Sequence, residues 1–384
     1  MGDKLLIKNC RVITPVKAIS ESDILIVDGK IKGLGIFDNE DCITINGEGR
    51  TAAPGFIDIH MQGAGGFDML DGTYEALSTI AKTSARFGVT GFLGTTVYRP
   101  NGDNSHLMTA AEYTGKDLGG AELLGVHIEG PFISQEKRGM IQPDSIGETS
   151  LETLDEIYSL TGDSLKMMTI APELDGSLEI IKQLVKGGIT ASFGHSAASF
   201  EDTIKGIEAG INHVTHIYNA MMPITHRNPG PLPAIFKNSS ITAQVIFDGI
   251  HIHPSVLKFS SRLLGEKRVV IITDGVQSMG LKDGKYMYNN VEFTSYNGTA
   301  RYSDGTLIGT CMGMNELIEK YIIYTGGSLR RAVRAASLNP ACVIGINDKK
   351  GSIKEGKDAD IVILNKDLSV WKTIKDGEII YGEE

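Results

Sequence analysis

Between residues 56 and 273, eight short apolar runs recur at near-even spacing, and this rhythm constrains the fold more than any other feature. The runs are Phe56–His60, Thr90–Thr95, Leu123–Ile128, Lys166–Ile170, Ile189–Phe193, Asn212–His216, Thr242–Phe247 and Arg268–Thr273. Short continuous runs of this kind read as buried strands. Most are followed by a stretch with helical spacing. Residues 73–87 place Leu77, Ile80, Ala81, Ser84 and Phe87 on one face, and similar stretches span 151–160, 178–186, 199–209 and 254–264. Eight such units in about 220 residues predict an α/β fold of the (β/α)8 TIM-barrel type. A doubly wound open sheet shares the alternation, so periodicity alone leaves both open.

The two ends of the chain read differently. Residues 23–35 (DILIVDGKIKGLG) alternate around Asp28-Gly29, and residues 371–381 (WKTIKDGEIIY) do so around Asp376-Gly377. A DG pair between such runs is a hairpin signal, because a type I′ turn needs positive φ at both central positions. The run 360–364 adds a further strand, so one small domain built from both termini is predicted. Residues 280–309 break the barrel rhythm and read as hairpins or a long loop, with helices following near 313–324 and 328–337.

Composition narrows the partners. A net charge of −10 counts against nucleic acid and anionic membranes, though it leaves room for an anionic small substrate. The four cysteines, Cys10, Cys42, Cys311 and Cys342, form no CxxC pair, which fits a reducing compartment. The start MGDKLLI reaches a charge too early for a signal peptide, and no apolar run approaches the ~20 residues that span a bilayer. A cytoplasmic protein is expected.

Polar residues fall at telling places. His60 ends the first run, Glu129 follows the third, His195 follows the fifth, His216 ends the sixth and Asp274 follows the eighth. In a barrel, all five would face the mouth at the carboxyl ends of the strands. A carboxylate with two imidazoles suits a catalytic Zn2+ or Fe2+ that keeps an open position. Such a metal lowers the pKa of water and polarises a carbonyl. Asp274 is then placed to take a proton from the water and hand it to a leaving amine, which is amide hydrolysis. Taken singly, a histidine at a strand end or an Asp before Gly has an ordinary structural use, and the convergence is what points to chemistry. His106 is expected on a solvated helix, and His127 and His213 in structural roles. Arg227, in the loop HIYNAMMPITHRNPG, and His251, in DGIHIH, suggest an anion site.

With these residues in place, the chain resembles the N-acetylglucosamine-6-phosphate deacetylase family of the amidohydrolase superfamily. The matching stretches are APGFIDIHMQGAGGFD, LLGVHIEGPFIS, SFGHSAASF, VTHIYNAMMPITHRNPG, FDGIHIHP, ITDGVQSMGL, DGTLIGT and the tail from SLNPACVIG to DADIVIL, spread over nearly the whole chain. The resemblance implies a small β-sandwich from residues 1–53 and 346–384, and a hydrolase barrel from 54–345. It implies that Glu129, His195 and His216 hold the metal and that Asp274 is the acid/base. Asn219, Ala220 and Arg227 would bind the substrate phosphate, and His251 would reach the phosphate of a neighbouring subunit's substrate, giving a homodimer. Leu307 and Ile308 would lie along the sugar.

Two positions depart from the family pattern. Some members carry H-x-H after the first strand and use two metals, whereas here the stretch is His60-Met61-Gln62. Glutamine is a weak neutral ligand, so one tight metal is expected, with His60 a candidate for a weak second site. The family histidine that contacts the amide carbonyl is replaced by Ile141, and Gln142 is the nearest substitute. Removing one such donor typically costs ~3 kcal/mol. The expected reaction is deacetylation of N-acetylglucosamine-6-phosphate, with the galacto epimer or another N-acyl amino-sugar phosphate as the alternative. A cyclic-amide hydrolase would place a lysine after the fourth strand, where this chain has Ala171-Pro172-Glu173. A non-catalytic sugar-phosphate sensor would have no need for the full set of ligands and proton-transfer carboxylate.

Overall fold

The computed structural model describes residues 4–37, 42–289 and 291–382. Eight parallel strands appear where the apolar runs predict them: Phe56–Met61, Val89–Thr96, Glu122–Glu129, Leu165–Ile170, Thr190–Phe193, His213–Val214, Thr242–Val245 and Val269–Ile271. They pair in sequence order. The first two are buried at every position, as strands covered on both faces must be.

The open-sheet alternative fails at the seam. The segment after the eighth strand turns back onto the first: the Asp274 N–H donates to His60 O at 3.0 Å and the Gln62 N–H to Gly275 O at 2.8 Å. Met61 and Gly275 form a parallel bridge. These contacts close the sheet into a TIM-type barrel. Asp58, fully buried in the first strand, reinforces the closure by accepting from the hydroxyl and the N–H of Thr273.

The predicted helices are present, within a residue or two at each end. Tyr74–Arg86 starts on Thr73, whose hydroxyl accepts the Ala76 N–H, and Phe200–Ala209 starts on a Ser199/Asp202 capping box. Pro254–Leu264 has the predicted bounds. Two six-residue helices, Leu232–Lys237 and Leu338–Val343, carry too little periodicity to be read from sequence. His106 departs from expectation. It lies in the helix Ser105–Tyr113 but is 3 % exposed, with its Nε2 bonded to Val97 O at 2.9 Å, so it is an interior residue.

Strands from both termini share one mixed eight-stranded sheet. Lys4–Ile13 and Thr51–Pro54 pair in parallel, and Thr51–Pro54 pairs antiparallel with Ile361–Leu364. Ile7, Ile24 and Ile26 from one end meet Ile361, Ile363 and Ile374 from the other in a single apolar cluster. Both DG turns have positive φ at both positions, 50° and 71° at Asp28-Gly29 and 50° and 83° at Asp376-Gly377. Strands Gly284–Tyr288, Val291–Tyr296, Thr299–Tyr302 and Leu307–Thr310 form a four-stranded antiparallel sheet that returns to the barrel through the Thr310 N–H, bonded to Asp274 O at 2.9 Å. No helix among the described residues is long and apolar enough to cross a membrane, and the four cysteines are free thiols.

Candidate active site

The strand ends deliver their polar side chains to one place. Glu129 closes the third strand, His195 follows the fifth and His216 follows the sixth, and their ligand atoms lie within 4.8 Å of one another. His195 Nε2 and His216 Nε2 are each 2.9 Å from the same oxygen, Glu129 Oε1, and 3.0 Å from each other. His195 Nδ1 is 2.9 Å from the carbonyl of Lys137, which accepts its proton and leaves a lone pair on Nε2. Three Lewis-basic atoms therefore face one another inside the protein. That arrangement repels itself unless a cation sits among them, and two imidazoles with one carboxylate is a donor set for a divalent metal.

Asp274 and His60 sit beside this triad. His60 Nε2 is 3.2 Å from Asp274 Oδ1 and 3.6 Å from Glu129 Oε1. Burial would lower the His60 pKa, but the two carboxylates outweigh it and raise the imidazole to about 9. Burial likewise opposes ionisation of Asp274 and Glu129. The neighbouring histidines win, holding Asp274 below the usual carboxylate range and Glu129 well below it. His216, by contrast, is lowered by burial, as befits a neutral ligand.

Glu129, His195, His216 and Asp274 line a cavity of about 160 Å³, together with Gln62, Asn219, Ala220, His251, Leu307 and Ile308, and His60 lies buried behind it. A larger concavity of about 790 Å³ lies on the terminal sheet and shares no residue with the site. His251 lines the cavity of its own chain, with its side chain 4 % exposed and Nδ1 2.6 Å from Asp248 Oδ2. Asp248 tethers the ring on this side of the mouth. Arg227 is exposed in the loop after the sixth strand and does not line the cavity. Gln142 also misses it: its Nε2 donates to Met140 O at 3.2 Å and lies 3.4 Å from the Tyr302 hydroxyl. Ile141 packs with Val97 and Ile133, and Met140 lines the cavity in its place.

Several supporting residues lie outside the sequence reading. Gln244 Oε1 accepts from His60 Nδ1 at 2.9 Å and from the His216 N–H at 3.2 Å, tying two site histidines together. The Glu173 carboxylate accepts from the Ser196 hydroxyl at 2.7 Å and the Ala197 N–H at 2.6 Å, fixing the loop that carries His195. A chain of buried bonds runs from Thr95 through His127 to Thr169, Thr215 and Ser192. His213 is structural, bonded to Thr242, and burial lowers it to about 3. The one sequence signal for Gln244 and Asp58 is a lone polar residue inside an apolar run.

Residues 51–380 match the amidohydrolase family. The chain belongs to that family. This amidohydrolase is 34 % identical to the N-acetylglucosamine-6-phosphate deacetylase of Bacillus subtilis (strain 168), over 99 % of this chain and 98 % of the relative. It is 29 % identical to the N-acetylgalactosamine-6-phosphate deacetylase of Escherichia coli O157:H7, over 96 % and 97 %. Among solved structures, a mutant N-acetyl-D-glucosamine-6-phosphate deacetylase from Mycobacterium smegmatis, in complex with N-acetyl-D-glucosamine-6-phosphate, superimposes with a TM-score of 0.90. That structure is 27 % identical and is covered, as is this chain, to 99 %.

Proposed function

We propose that this amidohydrolase removes the acetyl group from N-acetylglucosamine-6-phosphate, giving glucosamine-6-phosphate and acetate. The observation that carries the reading is the convergence of Glu129, His195 and His216 with the carboxylate of Asp274 on one cavity. The names of the full-length relatives support it. A divalent cation on the triad, Zn2+ or Fe2+, supplies carbonyl polarisation and water of lowered pKa. Asp274, kept ionised by His60, accepts the proton of the attacking water and returns it to the departing nitrogen. His60 is the candidate for a weak second cation site.

Leu307 and Ile308 offer an apolar face to the sugar ring. In the turn at Asn219 and Ala220, the Asn219 N–H closes onto His216 O at 3.0 Å, and the Ala220 N–H is the backbone donor placed for the phosphate. Neither residue brings a positive charge, and Arg227 is exposed and does not line its own chain's cavity. We therefore propose a homodimer in which Arg227 from a second copy pairs with the phosphate. We also propose that residues 1–53 with 346–384 form one folding unit and 54–345 the catalytic barrel. The free cysteines suit a cytoplasmic setting.

The galacto epimer is the second reading, favoured by the Escherichia coli relative. A side-by-side assay of both epimers with Zn2+- or Fe2+-reconstituted protein tests the assignment. Higher kcat/KM on the gluco sugar is expected, and faster turnover of the galacto sugar would move the assignment to it.

A further inference from the structure

Gln62 is 3 % exposed, yet it lines the cavity beside Asp274. Its backbone is pinned on the barrel seam from both sides. The Gln62 N–H donates to Gly275 O at 2.8 Å, and its carbonyl accepts from the Met69 N–H at 2.8 Å. The side chain is therefore delivered by two fixed elements. Its Nε2 lies 3.4 Å from Asp274 Oδ1. The amide faces this way for a simple reason: the reverse orientation would set two oxygen lone pairs against each other. The consequence is that Oε1 is buried and has no hydrogen-bond partner. An amide oxygen left so is a standing cost that an arriving donor relieves.

We propose that Gln62 recognises the nitrogen of the scissile amide: Oε1 accepts the substrate N–H while Nε2 holds Asp274 toward the same nitrogen. The inference rests on the deacetylase reading and adds a specificity-determining residue to it. A secondary amide is planar and trans, so its C=O and N–H point to opposite edges. With the carbonyl turned toward Glu129, His195 and His216, the N–H turns away from them. Glu129 Oε1 faces both site histidines, and His251 Nδ1 is held by Asp248. Gln62 Oε1 is an unpartnered acceptor beside the proton-transfer carboxylate.

The geometry matches the chemistry of the step. As the C–N bond breaks, its electron pair goes to nitrogen, which takes the proton held by Asp274 and leaves as the amine. The N–H groups on that nitrogen gain positive charge, so the bond to Oε1 becomes charge-assisted and strengthens along the reaction. An interaction stronger in the transition state than in the ground state acts on kcat. An oxygen ester in the same place has no N–H to offer.

The test compares N-acetylglucosamine-6-phosphate with its 2-O-acetyl ester analogue in the unsubstituted protein, Gln62→Leu and Gln62→Met. Kinetics are read as kcat/KM, and binding as Kd in the Asp274→Asn background, so the comparison does not depend on ester turnover. Metal content is measured in each protein. Because both ligands report on the same folded fraction, their ratio is insensitive to partial misfolding. The expected result is an amide kcat/KM lower by about 10- to 100-fold, carried mainly by kcat, with weaker amide binding. The ester loses only the share that comes from Asp274, so the amide-to-ester ratio falls, while the metal content stays unchanged. Equal losses on amide and ester, or a loss of metal, would overturn the inference and make Gln62 a ligand or a structural residue. Absence of amide turnover in the unsubstituted protein would instead overturn the deacetylase reading, and this inference with it.

Discussion

Four non-glycine residues at the cavity hold a left-handed backbone, His195 at φ 47°, His216 at 24°, Ala220 at 52° and Asp274 at 49°, and Tyr218 beside them does so at 78°. Elsewhere this conformation falls mainly on Asn, Asp and Glu residues. A histidine or an alanine there is strained by about 1–3 kcal/mol and is held by its surroundings. The strain turns two ligands and the proton-transfer carboxylate off their strands and into the mouth. These residues were legible from the sequence because each is a polar side chain at the end of an apolar run. Gln244 and Asp58 were not, because their partners lie far along the chain. The bond between Asp58 and Thr273 spans 215 residues, and no local period announces it. The His60–Asp274 pair gives a signed prediction. Burial alone would raise Asp274, and His60 lowers it. In His60→Asn the largest opposition to burial is gone, so Asp274 protonates at higher pH. The acid limb of the kcat/KM–pH profile should move to higher pH, and an unmoved limb would remove His60 from this role.

Elements place what residues cannot place alone. The loop carrying His195 is held by Glu173 at the end of the fourth strand, and the seam between the first and eighth strands carries Gln62 and Asp274 together. The antiparallel insertion at 284–310 brings Leu307 and Ile308 to the cavity. Its hairpin character was readable from the turn residues, but its attachment at Thr310 depends on a tertiary contact. The short helix Met69–Asp71 shows what such placement costs. Its N-cap, Asp68, accepts the Leu70 N–H, but Oδ2 has no partner, and burial raises the carboxyl to about 8. An acid raised on folding keeps its proton in the native state and loses it in the unfolded chain above pH ~4. Its contribution to stability therefore falls as pH rises from about 4 to about 8. Asp68→Asn retains a capping oxygen and removes that slope. Calorimetry should show the Tm of the variant, relative to the parent, rising from pH 5 to pH 8, and a difference independent of pH would refute the assignment.

At the scale of the molecule, one lysine joins the barrel to the terminal sheet. Lys350 Nζ lies 3.0 Å from Glu122 at the start of the third barrel strand, 2.8 Å from Asp360 and 3.3 Å from Asp358, and is 7 % exposed. Removing one member of a buried charge cluster strands the others, at about 3–5 kcal/mol. Lys350→Met should lower stability by about that amount in denaturant titrations while leaving kcat/KM unchanged, since the site is built elsewhere. The eight βα units, the terminal hairpins and the polar residues at the strand ends were readable because period and turn chemistry are local, whereas barrel closure needed the contact between the first and eighth strands. The Lys350 cluster and the tether of His251 were not readable, because each depends on which distant carboxylate the fold brings near. The proposed assembly is testable at the same scale. If Arg227 acts across subunits, mixing Arg227→Ala with Asp274→Asn under subunit exchange restores activity that neither variant shows alone. A mixture as inactive as its parts would place Arg227 in its own subunit's site or outside the chemistry.

The central claim is a phosphate-dependent amide hydrolysis that runs through Asp274. The measurement that tests it most directly is acetate release from N-acetylglucosamine-6-phosphate by the metal-reconstituted protein, set against the phosphate-free sugar and the Asp274→Asn variant. The account predicts release that requires metal and phosphate and that falls by about 10²- to 10⁴-fold in Asp274→Asn. Equal rates with and without Asp274, or no release from protein shown to hold metal, would contradict it.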